Sequence, residues 1–111
     1  MSYRTELGKI QSAIFGKGGY QDVQIGLWLV FRGKGWGVSY GYNGGWTSAP
    51  DKYCKWSIED QNDQYAKLIR DVVKILSDAN VNDVTQLVGI PVECTFDFNT
   101  LKSFRILTEV L

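Results

Sequence analysis

Val23, Ile25, Leu27, Leu29 and Phe31 recur at every second position, with Gln24, Gly26, Trp28, Val30 and Arg32 between them. A period of two puts the first set on one face of a β-strand and the second set on the other, so this strand commits one face to a core. Gly33 to Gly35 punctuate the chain, and Trp36, Val38, Tyr40 and Tyr42 then alternate with Gly37, Ser39 and Gly41. A two-residue loop at Lys34–Gly35, or a four-residue loop, gives a self-consistent hairpin. Phe31 then faces Val38, Leu29 faces Tyr40 and Leu27 faces Tyr42 on the core side. Arg32 meets Gly37, Val30 meets Ser39 and Trp28 meets Gly41 on the other. A three-residue loop would turn the second strand over and spoil the match.

The flanking segments complete an α+β fold. Leu7 to Gly16 alternates weakly and reads as a first strand at an edge, and Gly16 to Tyr20 as a corner. From Ser57 to Ala79 the apolar spacing lengthens to that of a helix. Tyr65, Leu68, Ile69, Val72 and Leu76 form its stripe, Ser57 its N-cap and Asn80 its C-terminal cap. Glu59 and Asp60 lie in the first turn, where negative charge suits the helix dipole. Asn82 to Gly89 reads as a short second helix capped by Asn82. Pro91 to Phe96 and Leu101 to Leu107 read as a closing hairpin turned at Asp97 to Thr100. The expected architecture is an antiparallel sheet of about five strands packed on one principal α-helix, with its strand order open.

The segment Ile25 to Trp46 holds seven glycines and six aromatic residues. In the hairpin register the glycines collect on the face opposite the core, beside Trp28. Trp28 over Gly41 is an aromatic covering a bare backbone position, which restores some of the stability that glycine removes from a strand. Two readings follow: a shallow trough open to a flat ligand, or a seat for a closely packed helix.

Charge adds to the first reading. Residues 1–56 carry seven basic and three acidic side chains, and residues 57–111 carry five basic and nine acidic, so a neutral chain is split into a +4 half and a −4 half. Asn43 to Trp56 lacks periodicity, is long for a connection, and interleaves Trp46, Tyr53 and Trp56 with Lys52 and Lys55. Aromatics among lysines suit stacking on a base with neutralisation of phosphate. The candidate ligand-binding set is therefore Trp28, Arg32, Lys34, Trp36, Trp46, Lys52, Tyr53, Lys55 and Trp56. In this set Trp28 and Trp36 stack, Arg32 and Lys34 neutralise phosphate, and the aromatic loop closes over the ligand.

Other chemistry is poorly represented. The chain has no histidine, the side chain best matched to proton transfer near neutral pH. No paired acids, nucleophile elbow or phosphate loop is recognisable, so no catalytic residue is assigned. Cys54 and Cys94, far apart and without histidine, make a poor metal site, and no metal or cofactor is expected. No apolar stretch is long enough to span a membrane, and "MSYRTELGKI" lacks a signal peptide's apolar core. A cytoplasmic protein with reduced cysteines is expected.

The ending "VGIPVECTFDFNTLKSFRILTEVL", with "GGYQDVQIGLWLVFRGKGWGV" and "CKWSIED", resembles a family of small, uncharacterised proteins encoded by bacteriophages and prophages, over about Gly8 to Leu111. The resemblance carries no assigned catalytic residue. It implies a setting in the host cytoplasm, where accessory phage proteins act by binding host components, blocking a defence among them. The expectation is a small binding protein that captures an anionic, nucleotide-like ligand. A protein–protein inhibitor and a single-stranded nucleic-acid accessory protein are the alternatives. Partners are then a small anion or a host protein, and opposed charge halves with open strand edges favour a homo-oligomer.

Overall fold

The computed structural model describes residues 3–111. Its elements run β1 (Tyr3–Gly18), β2 (Gln24–Gly33), β3 (Trp36–Trp46), α1 (Ile58–Ala79), β4 (Pro91–Asp97) and β5 (Thr100–Ile106). Single turns of 3-10 helix lie at Tyr20–Asp22, Val84–Leu87 and Thr108–Val110. The strands form one antiparallel sheet in the order β3-β2-β1-β4-β5.

The β2–β3 register is the one the alternation requires: Phe31 with Val38, Leu29 with Tyr40, Leu27 with Tyr42, Arg32 with Gly37, and Trp28 with Gly41. Lys34 and Gly35 form the two-residue turn, with Gly35 at φ 79°. β3 continues beyond Tyr42 through a bulge to Trp46, so the irregular segment begins only at Thr47.

β1 is longer than its weak alternation suggests and lies at the centre of the strand order, yet it is paired on both sides only at Gly8–Lys9, so the expected edge character holds along most of its length. Its first half, Tyr3 to Lys9, pairs with β4, and its second, Gly8 to Gly18, pairs with β2. A bulge between Ile10 and Ser12 explains why the alternation reads poorly: an extra residue shifts the inward set from even to odd positions. Ile10 precedes the bulge and faces inward beside Phe31. Ala13 and Phe15 follow it and face inward beside Leu29 and Leu27.

The core lies on the inner face. Ile10, Leu27, Leu29, Phe31, Val92, Cys94, Phe96 and Ile106 from the sheet meet Leu68, Ile75 and Ala79 of α1 and Leu87 of the 3-10 turn. Each large side chain buried here stabilises by about 1.5–3 kcal/mol. The sheet curls about this core, so rings from strands that are not neighbours meet. Phe104 of β5 lies 4.6 Å from Phe31 and 5.4 Å from Tyr40, centroid to centroid. α1 packs chiefly on β3, with lesser contacts to β2 and β5.

α1 begins as its sequence requires. Ser57 Oγ accepts from Asp60 N at 3.1 Å, Asp60 Oδ2 accepts from Ser57 N at 2.9 Å, and Asn80 closes the helix in a left-handed conformation. Its stripe differs in two places: Ile75 is buried, whereas Ile69 is 53% exposed. The expected second helix is one 3-10 turn, capped by Asp83 instead of Asn82: Asp83 Oδ1 accepts from Thr85 N at 2.8 Å.

Candidate functional site

The outer face of the sheet carries no helix. Across it stand Leu7, Lys9, Ser12 and Ile14 of β1, Trp28, Val30 and Arg32 of β2, and Gly37, Ser39 and Gly41 of β3. The glycine trough on this face is neither empty nor covered by α1. The Trp28 indole lies down in it. A Cβ built on Gly18, Gly26 or Gly41 would come within 2.7–2.9 Å of that ring, and Trp28 Nε1 donates to Gly16 O at 3.0 Å. Gly18, Gly26 and Gly41 are bare because an aromatic ring lies flat on them, whereas Gly16 and Gly37 on the same face have no side chain over them.

Trp36 does the same on the opposite face. A Cβ on Gly33 would meet its ring at 2.2 Å, and one on Gly8 at 2.9 Å. Its ring packs edge-on against Phe96 at 5.3 Å, and its Nε1 is buried with no partner among the described residues. Trp36 is therefore an inner-face residue and cannot stack beside Trp28, because the sheet lies between them. Arg4, 4.8 Å from the Phe96 centroid, closes this end of the core.

The candidate residues do not converge on one place. Arg32 is on the outer face and exposed, and Lys34 is in the hairpin turn. Trp46 pairs with Gln24, eight residues from Arg32 along β2 and thus about 26 Å away at the strand rise. The loop carrying Lys52, Tyr53, Lys55 and Trp56 follows Trp46 at this far end, leads into α1 on the inner side, and cannot close over Arg32. It is pinned by Gln61, which is 3% exposed and donates from Nε2 to Trp46 O at 2.6 Å and to Ser48 O at 2.8 Å. Tyr65 Oη donates to the same Trp46 carbonyl at 2.6 Å. Tyr53 is 81% exposed, and Lys52 Nζ lies 5.0 Å from its ring.

A different group does converge. An open cavity of about 680 Å³ is lined by Leu7, Lys9, Gln11, Arg32, Val88 and Leu107, together with backbone at Gly33, Gly89 and Pro91. That volume is in the range of small-molecule sites, which run roughly 300–1,000 Å³. The β1 bulge and the segment before β4 build it: Gly89 N donates to Ile10 O at 2.8 Å, and Ile10 N donates to Ile90 O at 3.0 Å. Lys9 and Arg32 are cross-strand partners at its rim. Like charges directly opposite one another in a sheet are destabilising. Among the described residues neither forms a salt bridge, whereas the nearby Arg105 is held by Glu93 at 3.1 Å and Glu109 at 2.9 Å.

Arg32 and Trp36 share a smaller hollow of about 390 Å³ at the hairpin end with Gly33, Gly35 and Gly37, and Arg32 alone of the expected set lines the larger cavity. Lys9, Leu7, Val88 and Leu107 were missed. Lys9 carried a signal, a cation in a strand, but placing it opposite Arg32 requires the β1–β2 register. No group of histidine, cysteine or carboxylate side chains among the described residues could hold a metal ion. Cys94 is buried in the core, which pushes its thiol up to about 11 and away from reactivity. No helix among the described residues is long and apolar enough to cross a membrane. No family model, curated protein or solved structure matches the chain.

Proposed function

We propose that this protein is a non-catalytic capture module for a small anion with an apolar or aromatic body, nucleotide-like in class, held on the outer face between Lys9 and Arg32. One observation carries the reading: two cations in register, unpaired among the described residues, stand at the rim of an apolar cavity of ligand size. An anion between them relieves their repulsion and forms charge-assisted hydrogen bonds, while Leu7, Val88 and Leu107 cover its apolar part. In the phage setting that the sequence resemblance implies, such a protein acts by sequestering a signal or metabolite of the host.

Isothermal titration with nucleoside monophosphates, cyclic nucleotides and inorganic phosphate tests this. Micromolar binding of a nucleotide, weakened by salt and absent for phosphate alone, is expected. Replacing both charges (K9Q with R32Q) weakens it by about tenfold or more while the unfolding temperature rises slightly, because their repulsion is removed as well. No binding below millimolar across the panel defeats the reading.

A protein partner on the same face is the second reading, favoured by Leu7, Ile14 and Val88, each more than half exposed on or beside it. A stoichiometric complex from host lysate that L7E abolishes, with no nucleotide binding, selects it.

A further inference from the structure

The second half of β1 has a neighbour on one side only. β4 pairs with β1 as far as Lys9, and Gly89 and Ile90 extend that contact to Ile10. From Gln11 to Gly18 the ladder to β2 continues, but no strand among the described residues lies on the other edge. Alternate N–H and C=O groups along this stretch point outward, unpaired, which is the template for adding a strand.

The inner side of that edge is also unfilled. Phe15 is 43% exposed, although it stands beside the fully buried Leu27. On α1, Ile69 and Val73 are 53% and 55% exposed, one helical turn apart on the same flank. Phe15, Ile69, Leu68 and Ile25 line a second cavity of about 370 Å³ between the edge and the helix. A sheet edge, an apolar cavity and an apolar helix flank lie side by side with nothing on them.

The dimensions say how much is missing. The chain exposes 7328 Å². A 12.5 kDa monomer typically exposes about 6,200 Å², so the excess is on the order of 1,100 Å². A stable protein interface takes about 800 Å² from each partner. The radius of gyration, 15.5 Å, likewise exceeds the roughly 13 Å of a compact domain this long.

We infer that this edge is the subunit interface of a homodimer, formed by antiparallel pairing of β1 with β1 of a second copy. The segment suits its own copy. A two-fold axis perpendicular to the sheet requires paired residues to share a face, so the axis lies midway between a residue and its own copy. Placed at Ile14, it sets each Phe15 against Ala13 of the other chain, large against small, and each Lys17 against Gln11, so no like charges meet. Both α1 flanks then lie on the same side of a continuous ten-stranded sheet, closing the apolar cavities. The outer faces stay open on the other side, and the inference does not depend on what they bind.

Sedimentation equilibrium across a concentration series, with amide hydrogen exchange, tests this. The wild-type chain is expected at twice its 12.5 kDa mass, with the outward-pointing alternate amides of residues 11–18 protected only in the dimer. F15E with I69E, both at exposed positions, should halve the mass and release those amides while the circular dichroism spectrum is kept. L7E, on the outer face, should leave the dimer intact. A monomer at high micromolar concentration, a dimer that survives F15E with I69E, or one lost in L7E overturns the inference.

Discussion

If Trp28 needs bare backbone beneath it, adding one methyl group should change sign with its surroundings. Gly41 is the position for this experiment. Its φ lies outside the left-handed region, so alanine fits the backbone there, and the nearest heavy atoms to an added Cβ all belong to Trp28, at 2.7, 2.8 and 3.9 Å. Gly26 would be less informative, because a Cβ there also meets the Tyr42 carbonyl at 2.6 Å.

Two effects compete in G41A. Alanine in a strand recovers about 0.5–1 kcal/mol relative to glycine. Against this, the indole must lift, an overpacking cost of about 1–3 kcal/mol, and its bond from Nε1 to Gly16 O weakens, a further ~1 kcal/mol. The net expectation is a loss of roughly 1–3.5 kcal/mol in the wild-type chain. In a W28V background the ring is gone, the strand propensity is kept, and G41A should gain about 0.5–1 kcal/mol. The coupling energy is then about 2–4 kcal/mol, at or beyond the upper end of what contacting residues show. Urea unfolding followed by far-ultraviolet circular dichroism at one fixed protein concentration measures all four corners, with equal slopes required for comparison. Equal losses from G41A in both backgrounds would refute the idea that the glycines exist to seat the ring.

Other outcomes follow from the same geometry. G44A should cost about 1–3 kcal/mol in urea unfolding, because its Cβ would stand 2.5 Å from Leu68 Cδ2 where α1 meets β3. Q61L removes the donors to Trp46 and Ser48 and should cost about 1–3 kcal/mol, with faster amide exchange confined to residues 47–56. Burial first, then the neighbouring Tyr40 and Asp71, pushes the Tyr42 hydroxyl up to about 12. The folded state favours the neutral phenol, so this contribution is complete below the unfolded value near pH ~10 and is lost as pH rises towards 12, a decline that Y42F should flatten in alkaline unfolding curves. Hydrogen bonds from Arg105 lower the Glu109 carboxyl to about 2, so its contribution is present above the unfolded value near ~4.3 and lost as pH falls through 2; NMR titration should show the Thr108–Val110 turn releasing over that window.

What could be read in the chain divides by range. The hairpin Gln24 to Tyr42 was legible down to its facing pairs, because a period of two combined with a two-residue turn leaves one register that keeps the apolar set together. The ends of α1 were legible because Ser57, Asp60 and Asn80 satisfy local backbone groups. β1 was not, because its bulge reverses which residues face inward and one of its two partners, β4, lies near the other end of the chain. The cavity at Lys9 and Arg32 depends on that long-range register, so it was hidden for the same reason.

The glycine pattern was legible, and so was Trp28 over Gly41, but the reach of the ring across three strands was not, and the reason is instructive. Alternation assigns a side chain to a face; it does not say whether the side chain stands up or lies down. A tryptophan that stands leaves a platform for a ligand. One that lies down consumes the platform, and then glycines must appear on its own strand and on both neighbours, since the ring spans them. Gly26 on the same strand, Gly18 on β1 and Gly41 on β3 meet that condition around Trp28. Trp36, on the edge strand, reaches across only one side, and Gly33 on β2 and Gly8 on β1 seat its ring on the other face. Glycines grouped around one tryptophan in three dimensions therefore mark a filled seat, and binding chemistry has to be sought where unpaired charge meets an unfilled hollow, which on this sheet is between Lys9 and Arg32.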